Sequence, residues 1–123
     1  MKAIVVDDSR AMRTILKRLL SANGFDVLEA ADGRQALETL EASGPVELAL
    51  VDWNMPVMTG LEFINEVRGR ARFDAMPIMM VTTETEGQQV QRALDAGANE
   101  YVMKPFTEDV LHDKLVLLGL SDA

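Results

Sequence analysis

Five polar residues with complementary chemistry each stand directly after an apolar run of the sequence. They are the neighbouring aspartates Asp7 and Asp8, a third aspartate, Asp52, the hydroxyl residue Thr82, and the cation Lys104. Oxygen ligands without a nearby histidine or cysteine favour a hard cation such as Mg²⁺. Such an ion usually keeps part of its water shell and bridges carboxylates to phosphate. The five residue types together therefore indicate phosphoryl transfer.

This set contains a nucleophile and a cation of its own. An aspartate carboxylate can attack phosphorus and form an acyl phosphate, and Lys104 can neutralise a phosphoryl oxygen as a point charge. Two like charges about 4 Å apart repel by roughly 4 kcal/mol at an effective dielectric constant near 20, so clustered carboxylates need a counter-charge. The sequence has no GxxxxGK[ST] motif to hold a nucleotide, so the phosphoryl group must come from another donor.

Each of these residues also has an ordinary structural explanation. Asp7 and Asp8 would suit the positive end of a helix, and Asp52 would suit a turn. Thr82 would suit a strand, and Lys104 would suit a turn before a proline. The functional interpretation therefore depends on whether the fold brings the five side chains together.

Five short apolar runs alternate along the chain with five helical patterns, which predicts a parallel sheet with helices on both faces. The predicted strands cover residues 3–6, 27–30, 48–51, 78–81 and 101–103. The expected helix starts are Ser9, Asp32, a position near Gly60, Thr85 and Thr107. The longest connection, residues 69–77, is predicted to be an exposed loop with mixed charges.

The polarity of the predicted strands indicates their order in the sheet. Residues 3–6, 48–51 and 78–81 are continuously apolar, as central strands should be, whereas segments 25–30 and 100–104 mix polar and apolar residues, as edge strands do. Right-handed crossovers then give the order 2-1-3-4-5, a doubly wound, flavodoxin-like α/β fold. Such sheets bind ligands beyond the carboxyl ends of their strands, where the winding reverses. All five polar residues belong to that edge.

The composition is that of one soluble globular domain over residues 1–123, with 48% hydrophobic and 26% charged residues. The absence of cysteine excludes disulfides, thiol catalysis and zinc–thiolate sites. A net charge of −8 argues against direct nucleic-acid binding. No apolar run approaches the roughly 18 residues of a membrane span, and acids follow the first residues too early for a secretory signal. We therefore expect a cytoplasmic protein that does not insert into a membrane.

At the ends of its predicted strands the sequence strongly resembles the receiver domains of two-component response regulators. The matching stretches are VVDDS at 5–9, VDWNMP at 51–56, MVTTE at 80–84 and YVMKPF at 101–106. Four matched strand ends in the right order are a specific signal, and the resemblance covers essentially the whole chain. Within the family, the sequence is most similar to the stand-alone chemotaxis regulators. The resemblance implies a single monomeric receiver domain that accepts a phosphoryl group from a histidine kinase.

The resemblance also implies which residues form the phosphorylation site. Asp52 would be the phosphoacceptor, and Asp8, Asp52 and the backbone carbonyl of Asn54 would bind Mg²⁺, with Asp7 acting largely through water. The side chains of Asn54 and Glu84 would tune the rate of dephosphorylation. The chain would catalyse only its own phosphorylation and dephosphorylation, so it would not be an enzyme in the ordinary sense.

A second group of residues would carry the signal. Lys104 would bind the phosphoryl group, with a cis peptide bond to Pro105, and the hydroxyl of Thr82 would turn onto a phosphoryl oxygen. Tyr101 would move from an exposed to a buried rotamer as Thr82 moves. The switched face would be the fourth helix, the fifth strand and the fifth helix, with Val90, Tyr101 and Lys114 as contact residues. Its target would be a protein, such as a flagellar switch component.

Two alternatives remain open at this point. The chain could be a phosphorelay intermediate or phosphate sink, which needs no phosphorylation-dependent target. It could also be a Mg²⁺-dependent phosphohydrolase with an aspartate nucleophile, although enzymes of the haloacid-dehalogenase type place an Asp-x-Asp motif on the first strand. Here Asp7 and Asp8 are adjacent. In addition, Glu86 and Gly87 stand where basic residues help docking in the enteric chemotaxis regulator.

Overall fold

Strands and helices alternate along the chain in the computed structural model, which describes residues 1–83 and 89–121. The elements are β1 (Lys2–Val6), α1 (Arg10–Ala22), β2 (Asp26–Ala30), α2 (Gly33–Ser43), β3 (Leu48–Asp52), α3 (Gly60–Arg68), a short 3-10 helix (Ala71–Phe73), β4 (Ile78–Thr83), α4 (Val90–Ala96), β5 (Glu100–Lys104) and α5 (Glu108–Leu117). Among the described residues, no helix combines the length and apolar character that a bilayer span requires.

The five strands form one parallel sheet in the order β2-β1-β3-β4-β5, which confirms the predicted order 2-1-3-4-5. Each predicted strand lies within an observed one. The observed strands run one or two residues further at several ends, because backbone pairing continues into the polar positions. Asp52 and Lys104 are consequently the last residues of β3 and β5, and Thr82 lies within β4.

Two hydrophobic cores lie on opposite faces of the sheet. Alternate residues of β1 point to the two sides, as the pleat of a strand requires. One core contains buried leucines of α1 and α5, which are Leu16, Leu20, Leu111 and Leu115. The other contains buried side chains of α2, α3 and α4, including Leu37, Leu40, Phe63, Ile64 and Ala93. Helices therefore cover both faces, as the doubly wound fold predicts.

Side-chain caps fix where most of the helices begin. Ser9, Asp32 and Thr107 cap α1, α2 and α5 by accepting a backbone N–H from the first turn, which confirms the three predicted starts. The cap of α3 is Thr59, one residue before the predicted Gly60, in a reciprocal capping box with Glu62. The predicted start of the fourth helix at Thr85 lies outside the described residues.

The connection between α3 and β4 differs from the predicted exposed loop. It contains the 3-10 helix, and the side chains of Phe73 and Met76 are buried in a core. The reason is a tether from α3: the Arg68 guanidinium donates hydrogen bonds to the carbonyls of Phe73 at 2.7 Å and Met76 at 2.8 Å. It also donates to the Gly97 carbonyl, from Nη2 at 2.9 Å. These bonds hold the segment against the sheet.

Gly60 is required where α3 begins against the end of β3, and this contact gives a test of the packing. A Cβ at Gly60 would lie 2.7 Å from Met80 Cε, 2.8 Å from the backbone oxygen of Asp52 and 2.9 Å from Trp53 Cα. Because backbone atoms cannot yield cheaply, Gly60→Ala should lower the free energy of unfolding by about 2 kcal/mol. Urea unfolding followed by Trp53 fluorescence measures this change.

Gly69→Ala is the matched control for this substitution. Its added Cβ would find its nearest atoms at 3.4 and 3.5 Å, and the backbone φ at Gly69 is −77°. We expect no loss of stability, and a gain of up to about 1 kcal/mol from the less flexible unfolded chain. Equal unfolding free energies for the two variants would contradict the close contact at Gly60.

Candidate functional site

Three carboxylates meet at the carboxyl edge of the sheet. Asp7, Asp8 and Asp52 each offer an oxygen, and these oxygens lie within 4.8 Å of one another. The cause is strand pairing, because β1 lies beside β3 with Val6 opposite Val51, which places the two following aspartates side by side. Asp7 is 1% and Asp52 is 6% exposed, whereas Asp8 is exposed. The cluster is therefore a buried pair with a third acid at its open side.

Asp7 is held at its main chain and at its side chain. Its N–H donates to the carbonyl of Ala30 at 3.1 Å, and its own carbonyl accepts from Arg13 Nη1 at 2.7 Å. Oδ1 accepts the backbone N–H of Ser9 at 2.8 Å, and Oδ2 lies 3.5 Å from Lys104 Nζ. The contact with Arg13 was not predicted. The only sequence signal for it is a basic residue six positions after Asp7, on the second turn of α1.

Lys104 is the cation of the site. Its Nζ lies 3.3 Å from Asp52 Oδ1 and 3.5 Å from Asp7 Oδ2. Burial alone would lower the pKa of Lys104, but attraction to the carboxylates of Asp52 and Asp7 outweighs it, so the pKa stands above its ordinary value. The ammonium group therefore stays charged at neutral pH. The peptide bond from Lys104 to Pro105 is cis, as predicted.

Thr82 is fully buried near the end of β4, in the position that follows Val81, the strand partner of Asp52. Its Oγ1 has no hydrogen-bond partner among the described residues. A buried hydroxyl without a partner costs about 1–3 kcal/mol and calls for a functional explanation. The Thr82 hydroxyl is therefore a candidate member of the site.

The loop between β3 and α3 contains a backbone feature that the sequence did not predict. Val57 has a φ of +67°, and the N–H of Met58 donates to the carbonyl of Pro56 at 2.7 Å. This three-residue turn is strained, because a β-branched side chain disfavours positive φ. Valine gives no sequence signal for such a turn. The turn begins two residues after Asn54, which is exposed and follows Asp52 by two residues.

The predicted partner face contains an ion pair that was also not predicted. Lys114 Nζ lies 3.0 Å from Glu100 Oε1 and 4.6 Å from the centroid of the Tyr101 ring. The same Glu100 oxygen accepts the backbone N–H of Tyr101 at 3.0 Å. Tyr101 and Val90 are half-buried.

Glu84, which was predicted to tune dephosphorylation, lies outside the described residues.

The donor set fits a hard divalent cation. Two ligands of one octahedral Mg²⁺ lie at most about 4.2 Å apart, twice the usual Mg–O distance of roughly 2.1 Å. The carboxylate oxygens of Asp7, Asp8 and Asp52 lie within 4.8 Å of one another, so small side-chain rotations would bring them into range. The open side at Asp8 leaves room for retained water and for a phosphoryl oxygen.

The doubly wound sheet carries an acid cluster and a lysine at its carboxyl edge, and the comparison with known families places this arrangement in a class of signalling domains. The chain belongs to the response regulator receiver domain family, which it matches over residues 3–116. Proteins of this family act in two-component signalling and bind Mg²⁺ at an acidic aspartate cluster. The resemblance seen in the four strand-end motifs is therefore confirmed.

Individual relatives agree with this assignment. The chain is 49% identical over 124 residues to the chemotaxis protein CheY1 of Helicobacter pylori, covering 99% of this chain and 100% of the relative. It is 48% identical over 116 residues to a CheY homolog of Campylobacter jejuni, covering 94% and 89% of the two chains. The structure of CheY4 from Vibrio cholerae superposes with a TM-score of 0.87 at 37% identity, covering 95% and 97%. The relatives support a chemotaxis-type response regulator.

Replacing Lys104 should show how much of the counter-charge comes from its ammonium group and how much a bound Mg²⁺ can supply. Lys104→Met keeps the apolar stem but removes the ammonium group from the carboxylates of Asp7 and Asp52. In the presence of EDTA we expect the free energy of unfolding at pH 7 to fall by about 2 kcal/mol, less than for a fully buried pair because the side chain is 20% exposed. Saturating Mg²⁺ should recover most of this loss, as urea unfolding with and without the ion will show.

The pH dependence and a control complete this test. A raised pKa means that Lys104 stabilises the fold fully below its ordinary pKa of 10.5 and loses this effect as the pH rises through the folded-state pKa. The difference between wild type and Lys104→Met should therefore shrink only in strongly alkaline solution. Lys17→Met removes an exposed cation and should change stability by at most about 0.5 kcal/mol. Equal stability of wild type and Lys104→Met in EDTA at pH 7 would contradict this role.

Proposed function

We propose that this chain, as one monomeric receiver domain over residues 1–123, accepts a phosphoryl group on Asp52 from the phosphohistidine of a histidine kinase. The reaction requires Mg²⁺ and switches the face formed by α4, β5 and α5 for binding a protein target in chemotaxis. The observation that carries this proposal is the buried pair of Asp7 and Asp52, with Asp8 at its open side and Lys104 Nζ 3.5 and 3.3 Å from the pair.

The transfer starts from an ionised carboxylate at Asp52. One of its oxygens bonds to phosphorus while the bond from phosphorus to the donor imidazole nitrogen breaks, and the leaving imidazole takes up a proton from water. Asp8, Asp52 and the carbonyl of Asn54 would hold Mg²⁺, with Asp7 acting through water. When bound, the ion would neutralise negative charge on the phosphoryl oxygens. Lys104 Nζ lies close enough to Asp52 to pair with another of these oxygens.

The switch follows from the charge that the phosphoryl group adds, which is about −1.5 to −2 together with three strong acceptors. Thr82 Oγ1 gains a hydrogen bond only in the phosphorylated state, and such a difference between two states shifts their populations. Thr82 of β4 lies opposite Met103 of β5, and Met103 follows Tyr101 by two residues on the same strand. A movement of Thr82 towards Asp52 is thereby transmitted to the edge strand and to the Tyr101 ring.

The target binds a face that includes Val90, Tyr101 and Lys114. Relatives named chemotaxis proteins favour a chemotaxis target such as a flagellar switch component. Asn54, exposed beside the cluster, and Glu84 tune how long the acyl phosphate persists. A phosphorelay intermediate or phosphate sink would use the same Asp52 chemistry, and it differs only in needing no phosphorylation-dependent target.

Asp52→Asn tests the phosphoacceptor. Acetyl phosphate with Mg²⁺ should add the mass of one phosphoryl group to the wild-type chain and none to the variant, because an amide oxygen is too weak a nucleophile. Asp26→Asn, which changes an exposed aspartate at the start of β2, should be modified like wild type. Intact-protein mass spectrometry reads the outcome.

Two results would count against this assignment of Asp52. One is unchanged modification of the Asp52→Asn variant, which would move the acceptor elsewhere. The other is continuous turnover of a generic phosphoester such as p-nitrophenyl phosphate, which would favour the Mg²⁺-dependent phosphohydrolase instead.

Thr82→Val tests the switch and should have opposite effects on stability and signalling. Removing a buried hydroxyl that has no partner among the described residues should raise the free energy of unfolding of the unmodified protein by about 1 kcal/mol. The variant should still accept a phosphoryl group. In NMR spectra, however, the Tyr101 ring should no longer respond when beryllofluoride, a phosphoryl mimic, binds Asp52 with Mg²⁺.

Thr14→Val, which removes an exposed hydroxyl on α1, is the control, and its Tyr101 ring should respond to beryllofluoride as in wild type. A Thr82→Val variant whose Tyr101 resonances shift as far as those of wild type would disprove the coupling through Thr82. In that case the phosphoryl signal would reach the partner face by another route.

A further inference from the structure

We propose that Arg13 is a positioning residue for the metal site, which it supports through the main chain of Asp7. This inference rests on the function proposed above. Arg13 Nη1 donates to the carbonyl oxygen of Asp7 at 2.7 Å, and the Arg13 side chain is only 16% exposed. Arg13 therefore contacts the backbone of the acid cluster.

The bonded carbonyl belongs to the peptide that joins Asp7 to Asp8. Because a peptide unit is planar, a hydrogen bond to this oxygen fixes the orientation of the whole unit, including the N–H of Asp8. Asp8 is the exposed acid of the cluster. On its other side, the N–H of Ser9 is bound to Asp7 Oδ1 at 2.8 Å. Arg13 and Ser9 thus hold the backbone on both sides of Asp8.

Arg13 is itself anchored to the edge of the sheet. Its Nε lies 3.4 Å from Oε1 of Glu29, a residue of the edge strand β2. The planar guanidinium presents donors in several fixed directions, so one side chain can bind Glu29 and the Asp7 carbonyl together. Lys17 also pairs with Glu29, with Nζ 3.6 Å from Oε2. The anchor therefore runs from β2 through Glu29 and Arg13 to the turn that carries Asp7 and Asp8.

Electrostatics distinguishes this positioning role from a simple effect of charge. A positive side chain close to the acid cluster repels Mg²⁺, so removing its charge alone should tighten Mg²⁺ binding. Loss of an anchor that orients the ligands should weaken binding instead, since outer-shell partners typically contribute about 10–100-fold to metal affinity. The direction of the change in Mg²⁺ affinity therefore decides between the two roles.

The test is a Mg²⁺ titration of the full chain followed by the fluorescence of Trp53, which adjoins Asp52. We expect Arg13→Ala to raise the Kd for Mg²⁺ about tenfold although it removes a positive charge. Arg13→Lys, which keeps the charge and a donor but loses the fork, should lie between wild type and Arg13→Ala. An Arg13→Ala variant that binds Mg²⁺ as tightly as wild type, or more tightly, would overturn the inference.

Two controls and one metal-free measurement support this test. Arg10→Ala and Arg18→Ala remove exposed cations of α1 and should leave the Kd unchanged or lower it slightly. In metal-free protein, the Ser9 amide should exchange with solvent faster in Arg13→Ala than in either control, because the turn has lost an anchor. Equal Ser9 exchange in all three variants would overturn the positioning role whatever the titration shows.

Glu29→Gln keeps the inference testable if Arg13→Ala does not fold. This variant leaves Arg13 in place and removes the carboxylate that holds its Nε, and it should raise the Kd for Mg²⁺ about threefold, as expected for a partly exposed ion pair. An unchanged Kd would overturn the anchor through Glu29. The wild type separates this inference from the proposed function: no saturable Mg²⁺ response in wild type would refute the proposed metal site itself, before Arg13 is considered.

Discussion

Repulsion between the buried carboxylates of Asp7 and Asp52 is the constraint on which the rest of the site depends. At a separation of about 4 Å and an effective dielectric constant near 20, two such charges oppose each other by roughly 4 kcal/mol. The fold accommodates them because Lys104 Nζ lies 3.5 and 3.3 Å from the two side chains. In the proposed function, a divalent cation would supplement this counter-charge, and a phosphoryl group on Asp52 would compete with Asp7 for the Lys104 ammonium group.

The strand order of the sheet brings the groups of the proposed switch to one edge. β3 presents Asp52 between β1, which leads into Asp7, and β4, which contains Thr82. Thr82 is buried, and its hydroxyl has no partner among the described residues, so the proposed phosphoryl group on Asp52 would offer this hydroxyl an acceptor. Pairing of β4 with β5 links this group to Tyr101 and the outer face.

Sequence patterns predicted the parts of the molecule that depend on local periodicity and strand polarity. The five strands, their order, three helix caps and the acid cluster with Lys104 follow from apolar runs and from the residues that end them. The missed features are contacts between distant side chains and backbone. Arg68 binds the Gly97 carbonyl 29 residues away, and the pairing of Glu100 with Lys114 needs β5 beside α5. The positive φ of Val57 escaped prediction because valine does not favour it.

A crystal structure of the chain with Mg²⁺ and beryllofluoride would test whether Asp52 is the phosphoacceptor that controls Lys104 and Thr82. We expect beryllofluoride on a carboxylate oxygen of Asp52, with Lys104 Nζ moved from Asp7 to a fluorine atom. We also expect Thr82 Oγ1 within about 3 Å of another fluorine. Beryllofluoride bound away from Asp52, or Lys104 still paired with Asp7 while the Thr82 hydroxyl stays without a partner, would contradict this role of Asp52.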